Sequence, residues 1–155
     1  MKETIFFLSL LVSLFLVYVL INKTSHTSSA ENLSFELKIN DVNNPKILTL
    51  QNETLTLAEV DYLHPQEFKN VKSVKLSAKQ LDSLKKTILD NRFFSLKEKY
   101  ENKGLMDGIG YNLSITMNDK SHSVFCYGEY PERFNEVLDK VLSLWPEQIE
   151  IYGGA

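Results

Sequence analysis

Chemistry in a short chain needs nucleophiles, ligands or acid–base groups at workable spacing, and His122 with Cys126 is the first pair to weigh. In an extended strand the two share a face but stand about 13 Å apart at roughly 3.3 Å per residue. A zinc ion holds its ligands within about 2.3 Å, and a Cys–His nucleophile needs hydrogen-bond reach. Cys126 is therefore expected as a small core residue and His122 as an edge or surface residue. His64 would complete a ligand set with them only through tertiary coincidence, and His26 lies far upstream in a polar stretch.

The glycines at 104, 108 and 110 lead into a strand pattern. A dinucleotide fingerprint leads instead into a helix N-terminus, so the segment reads as turn chemistry, with Asp107-Gly108 setting up the next strand. Glu98, Glu101 and Asp107 lie close in sequence, but nothing fixes the separation that a pair of catalytic carboxylates requires. Solvated loop charges are the ordinary reading. No G-x-S-x-G elbow accompanies the many serines. No catalytic residue, cofactor site or metal site is expected.

The aromatic group Phe125, Tyr127 and Tyr130, with Glu129 among them, is the remaining candidate. Val124 and Cys126 already supply one apolar strand face, so Phe125 and Tyr127 belong to the other. Either that face is covered too, by the Phe93-Phe94 segment, or Phe125, Tyr127, Glu129 and Tyr130 form an interaction surface of the composition found at protein interfaces.

The elements that must position these residues follow from periodicity. Leu33, Phe35, Leu37 and Ile39 alternate with polar residues as a half-buried strand does. Ile47 to Leu50 and Thr54 to Val60 form a hairpin around Gln51-Asn52-Glu53, and Val71 to Leu76 is a further strand. Ser77 is an N-cap with Gln80 closing a capping box and Leu76 stapled on Leu81. The helix that follows buries Leu81, Leu84, Ile88 and Leu89, and Asn91 ends it in a left-handed conformation. Phe93, Phe94, Leu96 and Tyr100 cluster to cap the core. Ile109 to Met117 turns through Asn118-Asp119 into a strand from Ser121 to Tyr127. Pro131 opens the last helix at its first position, whose stripe of Phe134, Val137, Leu138, Val141, Leu142 and Trp145 runs to Pro146. The expected fold is α+β: a mainly antiparallel sheet with two amphipathic helices packed on one face, preceded by an N-terminal transmembrane helix.

That transmembrane helix is Thr4 to Ile21, an apolar run without a charge, flanked by Lys2 and Lys23. It just reaches the roughly 18 to 20 residues needed to cross a hydrocarbon core. The expected organisation is a membrane anchor at 1–22, a flexible tether at 23–32 and one α+β domain at 33–152. The chain is then single-pass, with its C-terminal domain outside the cytoplasm and the lipid bilayer as partner through residues 4–21. The alternative is a signal peptide cut near Ser28-Ser29-Ala30, leaving a secreted or periplasmic product. The chain has 17 basic and 20 acidic residues, net −3, and the domain from Glu31 onward, without Lys2, Lys23 and Glu3, has 15 and 19, net −4. A phosphate backbone has no basic stripe to bind, so nucleic acid is excluded as a partner. A single cysteine permits no intramolecular disulfide, and the core must hold by packing.

The Ser77-capped helix, Asn91-Arg92-Phe93-Phe94-x-Leu96, Tyr100, Asp107-Gly108 with Tyr111, and Pro131 before the closing helix together make residues 71–144 resemble a small domain recurring in uncharacterised bacterial exported and lipid-anchored proteins. The resemblance implies an exported α+β fold and no active site. Unlike the lipid-anchored versions, this chain has no cysteine to lipidate. The function expected is non-catalytic protein binding, as an inhibitor, immunity-type or envelope-assembly factor. The alternative is a small-ligand or lipid-binding domain with a cavity lined by Phe93, Phe94 and Trp145. A hydrolase, requiring His64 and His122 to converge with an acid, ranks last.

Overall fold

Alternating apolar residues commit a strand to one wet and one dry face, and four stretches of this chain show that pattern strongly enough to build a sheet. The computed structural model describes residues 32–41, 44–61, 64, 67–105 and 108–149. The expected anchor at 1–22, most of the tether and residues 150–152 of the expected domain lie outside these, as do Tyr62, Leu63, Pro65 and Asp107. Among the described residues, no helix is long and apolar enough to cross a membrane.

The chain forms β1 (Leu33–Asn40), β2 (Lys46–Gln51), β3 (Thr54–Val60), β4 (Phe68–Lys75), α1 (Ala78–Asp90), a 3-10 turn at Phe93–Ser95, β5 (Lys99–Glu101), β6 (Gly110–Met117), β7 (Lys120–Tyr127) and α2 (Glu132–Leu142). One seven-stranded sheet results, ordered β4-β3-β2-β1-β6-β7-β5. Every pairing is antiparallel except β5 with β7. Among the described residues the fold is therefore α+β with a mainly antiparallel sheet and two helices, as the periodicity predicts.

Register puts the apolar residues on a single face. Leu37 pairs with Leu48 and with Leu113, and Leu113 with Val124. All four are fully buried. Leu84 and Ile88 of α1 join the same core cluster, as do Phe134, Val137, Leu138 and Val141 of α2. Both helices thus cover one face, and among the described residues no helix covers the other. Each large side chain buried there contributes about 1.5–3 kcal/mol, and the fully buried Phe93 sits among them.

The capping box forms as expected: Gln80 N–H donates to Ser77 Oγ, and Ser77 N–H donates to Gln80 Oε1 at 2.9 Å. Several details differ. Leu89 is 58% exposed: at 100° per residue it falls beyond the arc that Leu81, Leu84 and Ile88 share. The left-handed residue after α1 is Arg92 (φ 48), whereas Asn91 has φ −85. Asn91 is buried, and its amide donates to the Thr87 carbonyl and to Glu136 Oε2, both at 3.1 Å, tying the end of α1 to α2. With Asn91 held by those bonds, the chain reverses one residue later.

Pro131 is the N-cap (φ −59, ψ 142) and Glu132 the first helical residue, where an acid suits the positive end of the helix dipole. The helix ends at Leu142, and Trp145 is buried beyond it through tight turns, Leu144 N–H to Val141 O and Trp145 N–H to Leu142 O. β4 starts at Phe68, earlier than Val71, with a register shift opposite Leu57 and Glu59.

Candidate functional site

Strand β7 is where the two faces diverge, because it carries bulky residues on both. His122, Val124 and Cys126 point toward the helices, opposite Ile115, Leu113 and Tyr111 of β6. Ser121, Ser123, Phe125 and Tyr127 point to the open face.

On the covered side His122 is half-buried rather than at a surface or edge. Its strand is interior to the sheet, flanked by β6 and β5. Its Nε2–H donates to the Leu96 carbonyl at 2.9 Å, and its ring meets Phe93 edge-on at 5.8 Å. That bond commits Nε2 as the donor and leaves the lone pair of the neutral ring on Nδ1. Cys126 is fully buried, and burial first, with the charge of Glu129 second, pushes its thiol up to about 12. Such a thiol is held in its protonated form at neutral pH, away from the thiolate that nucleophilic attack requires. His64 lies in the connection between β3 and β4, on the far side of the sheet from His122, so the histidines do not converge. Glu101 is engaged by Lys99 at 2.8 Å, which holds its carboxyl below the usual range. Glu98 is exposed, and its backbone carbonyl accepts from Phe125 N–H.

The four aromatic-group residues do not form one surface. Tyr130 turns back over the covered side: its ring meets Tyr111 edge-on at 5.9 Å and its hydroxyl donates to the Ile109 carbonyl. Burial, then the charges of Tyr130, Asp139 and Asp41, raise the Tyr111 phenol above its ordinary value. Glu129 is exposed at the end of β7. Phe125 and Tyr127 stay together on the open face, half-buried. Phe93 and Phe94 do not cover them, since Phe93 packs against His122 on the other side.

What flanks Phe125 and Tyr127 is the segment from β5 to β6. Lys99 lies beside Phe125 in register, its Nζ 5.9 Å from the ring centroid, a cation–π contact worth about 0.5–1 kcal/mol when exposed. Asn102 N–H donates to the Tyr127 carbonyl at 2.9 Å, drawing the segment over the strand end. Gly128 turns the chain at φ +67, and a Cβ there would lie 2.9 Å from Leu105 Cδ2. A Cβ on Gly108 would lie 2.8 Å from the same methyl and 3.4 Å from the Tyr127 ring. Leu105, itself 39% exposed, therefore closes with Tyr127 around two glycines. Sequence reasoning passes over Leu105 and Gly128; a glycine directly after an aromatic strand end was the available signal.

The rest of the open face is hydroxyl-rich. Ser73, Thr56, Thr49, Glu36, Ser114 and Ser123 form one continuous cross-strand row. Neighbours bond each other, as in Thr56 with Ser73 at 2.9 Å and Ser114 with Ser123 at 2.9 Å. A shallow groove of about 260 Å³ runs between Ser34, Thr49, Gln51, Ser114 and Thr116. The cavity expected at Phe93, Phe94 and Trp145 is replaced by packing: Phe93 and Trp145 belong to the core cluster and Phe94 rests against it.

Neither a scan of protein-family models nor a search of curated proteins returns a match to this chain.

Proposed function

We propose that the chain is a membrane-tethered, extracytoplasmic, non-catalytic module that binds another protein through the aromatic end of its uncovered sheet face. The tether rests on the Thr4–Ile21 apolar run and the polar stretch after it. The resemblance of residues 71–144 to exported domains supports the same compartment.

The observation that carries the binding role is the asymmetry of the sheet. Helices cover one face, while Phe125, Tyr127 and Leu105 gather on the other, bordered by the Lys99–Glu101 pair. An aromatic and aliphatic cluster with a charged rim is the composition of a protein-binding patch. The chemistry of His122 and Cys126 adds no catalytic group beside it.

Site-specific photocrosslinking in intact cells tests the reading. A photoreactive side chain at position 127 is expected to yield a discrete adduct, and one at the exposed position 89 none. Equal labelling at both positions, or none at 127, overturns the binding surface. Alkaline extraction and protease accessibility of the C-terminal domain test the tether separately; recovery of the intact chain in the soluble cytosolic fraction overturns it.

A further inference from the structure

We propose that Asp61, His64 and Glu67, which lie between β3 and β4, are the protein ligands of a binding site for a divalent transition-metal ion of the zinc, cobalt and nickel class. The site is independent of the aromatic face and stands or falls without it.

One donor atom from each of the three residues lies within 4.8 Å of the other two. His64 Nδ1 is 3.6 Å from Asp61 Oδ2. Ligands held tetrahedrally at about 2.0–2.2 Å from a metal stand roughly 3.4 Å from one another. The Asp–His edge, at 3.6 Å, is already close to that length, and the other two edges are no longer than 4.8 Å. The backbone holds the three together in advance: Asp61 N–H donates to Glu67 O at 3.0 Å and Glu67 N–H to His64 O at 2.8 Å.

Composition selects the ion. Two carboxylates and one imidazole suit borderline transition metals, whereas calcium and magnesium take all-oxygen sets. Asp61 is the anchored member, its side chain 11% exposed, while His64 at 64% faces water. Solvent on that outer side completes the coordination shell.

The site already holds a positive charge. Lys69 Nζ lies 2.5 Å from Asp61 Oδ2, the same oxygen that faces His64. A metal ion bound there and the Lys69 ammonium compete for one carboxylate. Lys69 is 59% exposed on a flexible stem, so it can leave when the metal enters. An ordinary set of surface ion pairs makes no such prediction: there, removing Lys69 creates no affinity for a metal.

The test uses the full-length chain in detergent and zinc ion alone, followed by competition with a chromogenic chelator. One zinc ion per chain is expected. His64→Gln and Glu67→Gln each lower the affinity at least about tenfold, and Lys69→Met raises it roughly two- to fivefold, the worth of one exposed charge pair. His26→Gln and His122→Gln leave it unchanged. His64 is exposed, so its substitution leaves the fold intact, and a matching thermal unfolding curve for each variant checks this. No zinc binding by wild type and Lys69→Met, retained binding in His64→Gln, or weakened binding in Lys69→Met overturns the site.

Discussion

The two faces of this sheet are made by the same strands and obey different rules. On the covered face, Leu37, Leu48, Leu113 and Val124 run across four strands with no exposed atom among them worth noting. Shape decides what fits there. On the open face, displaced by one residue along each strand, Thr49, Glu36, Ser114 and Ser123 make an equally continuous row. Their hydroxyls bond sideways and tolerate exchange. The lesson lies in the exception: Phe125 and Tyr127 interrupt the polar face at one end, where no helix among the described residues rewards their apolar area. Residues that break the local rule of their own surface are where function is worth seeking.

The largest expected effect separates the faces by energy. Phe93→Ala should cost about 3–5 kcal/mol through transfer and cavity terms, and Phe125→Ala about 1 kcal/mol because its ring is only half-buried, both read from urea unfolding. Comparable losses for the two would erase the distinction.

The next is chemical and concerns Cys126. Its thiol is raised to about 12 in the folded chain from an ordinary value of 9.0. Folding thus disfavours the thiolate, so its contribution to stability is whole below pH 9 and is lost as pH climbs from 9 toward 12. Melting temperature should fall less steeply across that window in Cys126→Ala than in wild type. At pH 8 a thiol reagent should react with the native chain only as fast as it unfolds. Rapid labelling would mean the covered face is open to water.

Asn91 tests a polar group inside the covered side. Its amide serves two acceptors on two helices, so Asn91→Ala should cost about 1–3 kcal/mol, against about 0.5 kcal/mol or less for an exposed residue such as Leu89→Ala. Smallest of all is the hydroxyl row: a double-mutant cycle on Ser114 and Ser123 should return a coupling of about 0.2–1 kcal/mol.

Much of this could be read from residue order, for physical reasons. Strand positions follow from period-2 alternation, which is strong when one face is wet, and α1 is announced by Ser77 and Gln80 because a capping box is a local hydrogen-bond pattern. Nonlocal features escaped. The pairing of β1 with β6 joins segments far apart in the chain, and β5 is too short to show alternation. Arg92 takes the left-handed turn because Asn91 is engaged by Glu136, a residue on the other helix. Proximity in sequence groups Tyr130 with Tyr127, yet Gly128 turns the chain between them onto the opposite side. Residue type pairs His64 with the distant His122, whereas the fold puts it beside Asp61 and Glu67, acids that no sequence motif marks as its partners.

The central seam, Leu33 against Met117 through Asn40 against Gly110, has a consequence for how the molecule is made. A chain emerging in order from its N-terminus produces β1 to β4 early, but one flank of β1 stays bare until residues near 117 have been delivered. Closing so large a loop is slow. Half-finished product is therefore a sticky open sheet, vulnerable to proteolysis and to pairing with its neighbours. The sheet cannot close on β1 before β6, in the last third of the chain, has been synthesised.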